Sequence, residues 1–392
     1  MERRSFLIGG AAGVVVGAGG TIGVKKLKHG KYHDDHHDHG HDDHNDDDDK
    51  VASPAVMKDV KEMAIVSTWP RDFPGLGLPA QRLAARITEL TGGEINVTYF
   101  AAGERVGAFD SFDEVSSGNA QAYIGADYYW KGKHPGWAPF TAIPFGLTYT
   151  EIDAWTKYAG GQELWDELAG EFGLKNFAMG NTGVQMGGWF NKEINSADDL
   201  KGLKMRIPGL GGDVMAKLGA SPISVPGGQI YENLISGAID ATEWVGPYND
   251  YFMKFYEAAR YYYYPGMHEP GSQLALGMNR AFWDGLSDTH KAIIEAACNE
   301  ENARTMAETN ANNGAFLKKL IDEQGVRLRE FNDDVYQSFG QAAAEVIEEA
   351  RDHSPLAKRI FDSHLAARTE IGAWTALSDV AYILKRNKVL GG

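Results

Sequence analysis

The 392-residue chain holds one cysteine, Cys298, so it can form no intrachain disulfide and no cysteine-only metal site. Cys298 falls in an apolar helical pattern with Ile294 and Ala297 and reads as a buried structural thiol. Positive charge is also scarce: 38 Lys and Arg stand against 54 Asp and Glu, for a formal net charge of −16. That balance argues against nucleic acid and against an anionic membrane surface as partners. The acidity is not confined to one tail, because residues 51–392 alone carry −13. No Ser-His-Asp order, His-Glu-x-x-His, phosphate loop or dinucleotide fingerprint occurs, and no repeat has a solenoid period. The length, with 43% hydrophobic residues, suits a globular chain of two core-bearing domains.

The amino terminus differs from the rest. Arg3-Arg4-Ser-Phe-Leu7 precedes a weakly hydrophobic stretch to Val24, the form of a twin-arginine export signal. No Ala-x-Ala site closes that stretch, and Lys25, Lys26 and Lys28 follow it, which leaves an uncleaved membrane anchor open. Residues 29–50 carry seven of the twelve histidines and nine aspartates. Such a tract cannot bury a core, so it reads as a solvated linker with weak affinity for divalent metals.

Beyond it the hydrophobic pattern alternates between strand and helix. Met63–Ser67, Ile95–Tyr99 and Ala120–Ala126 read as strands, with helices marked by Leu83, Ile87 and Leu90 and by Phe109–Ser117. After a proline-bearing loop, residues 151–172 read as one helix. A second α/β set follows, with strands near Ala178-Met179, Gly188–Phe190, Met205-Arg206, Ser221–Val225 and Ala238–Glu243, and helices at Asp213–Leu218 and Gln229–Ser236. Tyr261–Tyr264 comes next. Leu274–Met278 reads as a strand crossing back to the first set, and from Ser287 onward the chain is mostly helical. The expected fold class is α/β, a two-lobed, hinged architecture with a long C-terminal helical segment.

The chemistry concentrates between residues 185 and 249. Pro208-Gly209 ends a short strand and places Arg206 at its carboxyl end, where ligands of open α/β sheets bind. Glu243 and Trp244 end another apolar segment before Gly246-Pro247. In an acidic chain, a fixed cation beside a carboxylate and an aromatic suggests the floor of a small-anion site. Trp69 and Tyr129 follow two strands of the first set and are candidate walls. The bland alternatives are that Arg206 pairs with a structural glutamate and that Glu243 is a solvated loop acid.

From about Lys58 to Asn387 the chain resembles the DctP-type solute-binding subunits of TRAP transporters. The motifs are Asp199-Leu-Lys-Gly-Leu-Lys-Met-Arg206, Gly219-Ala-Ser-Pro-Ile-Ser-Val-Pro226 and Ile230-Tyr-Glu-Asn-Leu-Ile-Ser-Gly-Ala-Ile-Asp240. The resemblance implies that Arg206 pairs with a ligand carboxylate. Trp69-Pro70, Gln185, Ala241-Thr-Glu-Trp244 and Tyr263–Gly271 resemble the branch that binds 2-oxo acids or lactate together with a metal ion. By that resemblance Gln185, Glu243 and Trp244, joined by Glu269, would hold a Na⁺ or Ca²⁺ that touches the ligand.

These readings imply a non-catalytic periplasmic receptor that captures a small monocarboxylate and delivers it to TRAP membrane permease subunits. The expected organisation is a signal or anchor over 1–28, a linker over 29–57 and a first lobe over 58–183, to which about 271–310 returns. A second lobe covers 184–270, and helices over 311–392 brace both; that helical segment is compatible with a homodimer. Two competing readings are a Zn²⁺ receptor using the His/Asp tract and an enzyme using His268 and Glu269 as acid and base. Against the first, the remaining histidines (His134, His268, His290, His353, His364) form no obvious triad; the second has no positive motif.

Overall fold

A computed structural model describes residues 60–391; the expected export signal and the His/Asp tract lie outside the described residues. Eleven strands among them build two sheets. They are β1 (Lys61–Ser67), β2 (Ile95–Phe100), β3 (Ala122–Gly125), β4 (Leu174–Asn181), β5 (Gly188–Phe190), β6 (Lys204–Arg206), β7 (Ser221–Ile223), β8 (Ala241–Thr242), β9 (Tyr261–Tyr264), β10 (Gln273–Asn279) and β11 (Arg327–Glu330). The five-stranded sheet has the order β2-β1-β3-β10-β4, and the six-stranded sheet the order β11-β9-β5-β8-β6-β7.

Four details depart from the sequence reading. The strand containing Ala178-Met179 belongs to the first sheet, because β10 pairs antiparallel with both β3 and β4 and so draws β4 in. The helix expected over 151–172 is two helices, Tyr149–Tyr158 and Gly161–Glu171, broken where Gly160 adopts φ 83°. The helix expected from Asp213 begins at Gly209, inside a glycine-rich run. There the lack of a side chain permits close packing, since a Cβ on Gly211 would sit 2.7 Å from that of His268. The short strand β11 interrupts the C-terminal helices and pairs parallel with β9.

Packing follows the periodicity. Helix Gly77–Leu90 buries Leu83 and Ile87 against the first sheet and leaves Leu90 exposed at its end. In a separate core cluster, with Val66 and Tyr123 of the same sheet, Phe140 is stacked between Trp155 and Trp165, at 5.4 and 5.3 Å between ring centroids. In the second sheet Trp189 stacks on Tyr262 at 4.0 Å. A 35-residue helix, Asp288–Asp322, joins both regions. Its first half meets Arg82 of helix Gly77–Leu90 through Glu301. Its second half meets helix Pro247–Met253 through Asn313, which accepts from Tyr248 N at 3.0 Å.

Helix Pro355–Thr375 runs through a π turn, Ala376–Val380, into helix Ala381–Leu390. Along this end Trp374, Leu377, Tyr382, Leu384, Val389 and Leu390 are each 65–78% exposed. Among the described residues no helix is long and apolar enough to cross a membrane.

Candidate functional site

Strand direction determines where the site forms. β1 and β3 run parallel, so Trp69 and Tyr128-Tyr129 leave the first sheet along one edge. β10 is antiparallel to β3 and β4, which brings Thr182, after β4, and Ser272, before β10, to that same edge. In the second sheet β6 and β8 are parallel neighbours, with Arg206 opposite Thr242. Glu243 N donates to Arg206 O at 3.2 Å, so Arg206 and Glu243 emerge side by side. The two crossings between the sheets, residues 182–187 and 265–272, carry Gln185 and Glu269. Carboxyl edges with crossing segments are where open α/β sheets hold ligands.

The side chains converge on one small cavity. Trp69, Leu76, Ala126, Tyr128, Tyr129, Ser272 and Leu274 line it from the first-sheet side, and Arg206, Trp244 and Val245 from the second. Thr182, Gln185 and Glu269 line it from the crossings. All five expected ligand residues (Arg206, Gln185, Trp244, Tyr129 and Trp69) therefore line one cavity. Of the expected metal set, Gln185, Trp244 and Glu269 also line it, while Glu243 stands directly behind Arg206.

Arg206 and Glu243 form an ion pair between Nη1 and Oε1 with both side chains 1% exposed. Arg206 Nε donates to Val225 O at 3.3 Å, and its guanidinium lies 5.2 Å from the Trp244 ring. Nη2 is buried and has no hydrogen-bond partner. The resemblance implies that Arg206 pairs with a ligand carboxylate; here Nε and Nη1 are committed to protein oxygens and only Nη2 is without a protein partner. Structural pairing and site placement, posed as alternatives by the sequence, thus coincide at this residue.

The acids interlock. His268 Nε2 lies 3.2 Å from Glu243 Oε2. Gln185 Nε2 donates to Glu269 Oε2 at 2.7 Å and to Thr182 Oγ1 at 3.1 Å, and Ser272 Oγ donates to Glu269. Burial, then the neighbouring Glu243 carboxylate, pushes Glu269 up to about 7. For His268, burial works against protonation, but the hydrogen bond and charge of Glu243 outweigh it and raise the imidazole above its ordinary value. Arg206 behaves likewise: burial opposes its charge, and Glu243 more than restores it.

Donor chemistry fits a hard cation. Glu243, His268 and Glu269 each present a ligand atom within 4.8 Å of the others. Gln185 Oε1 is a buried acceptor without a donor. Trp244 lays its indole against the guanidinium, so only its backbone carbonyl could serve as an oxygen donor. Sequence reasoning favoured Tyr129 and passed over its neighbour Tyr128, although both leave the same strand. Thr182 and Ser272 carry no sequence signal beyond flanking Gln185 and Glu269.

Known proteins resemble this chain in sequence and fold. Residues 66–353 match the family described as bacterial extracellular solute-binding protein, family 7 (DctP). A Nostoc protein described as a monocarboxylate 2-oxoacid-binding periplasmic protein is 38% identical over 318 residues, 81% of this chain and 87% of that relative. A TRAP periplasmic solute-binding protein from Pseudoalteromonas atlantica, solved with bound sodium and pyruvate, is 38% identical with a TM-score of 0.80, covering 82% of this chain and 98% of that one. A TRAP transporter solute-binding protein from Bordetella bronchiseptica is 32% identical with a TM-score of 0.83, covering 85% and 98%. That structure is described as a mixed-occupancy dimer with copurified calcium and picolinate in one site.

Proposed function

The chain belongs to the DctP family of bacterial extracellular solute-binding proteins, and from that premise we infer that it is the receptor of a TRAP-type transporter for a small monocarboxylate, a 2-oxo acid such as pyruvate or the hydroxy acid lactate. The observation that carries this reading is that Arg206 Nη2 and Gln185 Oε1 are both buried and unpartnered, on two residues that line one cavity. A carboxylate is the complement of the first and a cation of the second. The rest of the wall is mainly Trp69, Leu76, Trp244, Val245 and Leu274, which suits a short apolar tail rather than a second charge.

A Na⁺ or Ca²⁺ would be held by Gln185 Oε1, the carboxylates of Glu243 and Glu269 and the carbonyl of Trp244. Such an ion would supply positive charge to the ligand's oxygens. Glu243 keeps Arg206 charged in a desolvated place, and Gln185 and Ser272 orient Glu269.

In this reading residues 58–183 with about 271–310 form one lobe and 184–270 the other, closing on the ligand before delivery to the membrane permease, with no catalytic step. Export uses the twin-arginine-like segment at Arg3-Arg4, cleaved or kept as an anchor. A second copy of the chain covers the exposed apolar residues between Trp374 and Leu390, a reading supported by the dimeric Bordetella relative.

Titration calorimetry tests the function. The expected result is one-to-one binding of pyruvate or lactate in the presence of Na⁺ or Ca²⁺, weakened when Na⁺ is withdrawn and divalent ions are chelated. A protein that bound Zn²⁺ but neither acid would overturn it.

A further inference from the structure

All walls of the cavity but the half-buried Tyr129 are buried, and they come from both sheets, so release of a ligand requires contacts across the cleft to break. One such contact is built differently from the others. Asn249, 1% exposed, stands on helix Pro247–Met253 just beyond Trp244 and Val245. Its Nδ2 donates to Pro74 O at 2.9 Å. Pro74 lies in the loop between Trp69 and Leu76, which itself walls the cavity from the first-sheet side.

Both ends of this contact are firmly mounted. The asparagine's helix is fixed to its own sheet through Asp250, whose Oδ2 accepts from Trp189 Nε1 at 2.9 Å and from the Tyr262 hydroxyl at 2.8 Å, and to the long helix through Asn313. The loop is pinned to helix Gly77–Leu90, where Leu78 N donates to Phe73 O at 2.9 Å and Asp72 N to Gln81 Oε1 at 2.8 Å. It takes a left-handed backbone at Asp72 (φ 57°) and Gly75 (φ 74°). A Cβ on Gly75 would lie 2.5 Å from Asn249 Nδ2, so the loop presents Pro74 to Asn249 only because residue 75 has no side chain. Phe73 meets Trp244 edge-on at 6.1 Å beside the same contact. The ion pair of Lys131 with Asp213 also bridges the sheets, but with 30% and 46% of those side chains exposed it adds little.

Resting on the receptor reading above, we propose that Asn249 is the latch of the closed receptor: a positioning residue that holds the Trp69–Leu76 loop over the bound acid and sets how long the ligand stays. The contact forms only after the cleft has closed and must break before release. It therefore acts on dissociation and leaves encounter alone.

The test is stopped-flow measurement of pyruvate association and dissociation, in Na⁺ and in Ca²⁺, for the wild type, Asn249→Ala, Asn249→Asp and Gly75→Ala. Asn249→Ala is expected to raise koff about fivefold, equivalent to about 1 kcal/mol by RT ln 5, with kon within about twofold. Asn249→Asp keeps the shape but turns an oxygen toward the Pro74 carbonyl, so its koff should rise further than that of the alanine variant. Gly75→Ala attacks the contact from the other side and should also raise koff; it decides alone if the Asn249 variants do not fold. An aspartate variant close to wild type beside an impaired alanine variant would mean packing only and overturn the proposal. Unchanged koff in all variants of a protein that binds pyruvate would do the same. A wild type that bound no monocarboxylate would instead sink the receptor reading.

Discussion

Replacing Arg206 with lysine probes the site most directly. The guanidinium performs three tasks at once: Nη1 holds Glu243, Nε holds the Val225 carbonyl, and Nη2 faces the cavity. An ammonium is a point charge on a flexible stem and cannot hold Glu243 and also reach the place of Nη2. The ligand carboxylate should thus lose one charge-assisted bond, worth roughly 1.5–3 kcal/mol, or about 10- to 150-fold in affinity. Alanine is the poorer probe. From sequence alone a site arginine need not hold the core, so the fold should survive its removal. The burial of the pair changes that expectation: Arg206→Ala would strand Glu243 in the interior at a cost of about 3–5 kcal/mol in stability. Calorimetry with pyruvate at fixed Na⁺, with thermal melting of the ligand-free protein as a folding check, measures both quantities. A folded Arg206→Lys protein with wild-type affinity would show that the carboxylate is held elsewhere and refute the argument from Nη2.

Three further outcomes are expected. Glu243→Gln removes a carboxylate shared by Arg206, His268 and the proposed cation, so pyruvate affinity should become insensitive to Na⁺ and Ca²⁺; a retained ion dependence by calorimetry would leave Glu243 a purely structural acid. His364 is fully buried with neither ring nitrogen bonded, and burial, then the charge of Arg368, pushes it down to about 3. Its unfolded value lies near 6.5, so its neutral form favours folding above that pH, and its own contribution to stability should fall as pH drops toward 3. Glu269, Asp250 and Asp127 are raised by burial and act in the opposite sense, so urea unfolding of the wild type is compared with that of His364→Leu: between pH 7.5 and 5 the difference between the two should move by about 2 kcal/mol against the wild type, and an unchanged difference would refute the assignment. Ending the chain after Thr375 removes most of the exposed apolar helix and should yield monomers by light scattering at concentrations where the full chain is dimeric; a dimer surviving truncation would place the interface elsewhere.

The parts of this molecule that could be read from sequence are those where local pattern and tertiary demand agree. Ile95–Tyr99 alternates and is a strand; Gly188–Phe190 and Leu274–Met278 are strands where apolar runs say so. Arg206 was legible because Pro208-Gly209 ends its strand and because a fixed cation stands out in an acidic chain. Its pairing with Glu243 was not. It depends on β6 and β8 being neighbours in register, and nothing in either short segment specifies that. β11, Arg-Leu-Arg-Glu, has no apolar face to announce it and forms because β9 offers an open edge. Gly209 reads as a turn residue, yet it opens a helix in which a Cβ on Gly211 or Gly212 would crowd His268 and Ile207. Tyr128 was hidden by sharing a strand end with Tyr129, where one residue decides which way each ring points.

The position of β10 also has a consequence in time. It lies inside the first sheet between β3 and β4, and among the described residues it is the only sheet partner of β4, yet it follows β4 by some ninety residues, after the whole of β5–β9. On the ribosome, at about 5–20 residues per second, roughly 5–20 s separate the emergence of β4 from that of the strand that completes it. Through that interval β3 and β4 expose unpaired edges. The amino-terminal half therefore cannot finish folding as its own unit during synthesis, and any factor that shields nascent strand edges has its work set between the emergence of residues 181 and 279.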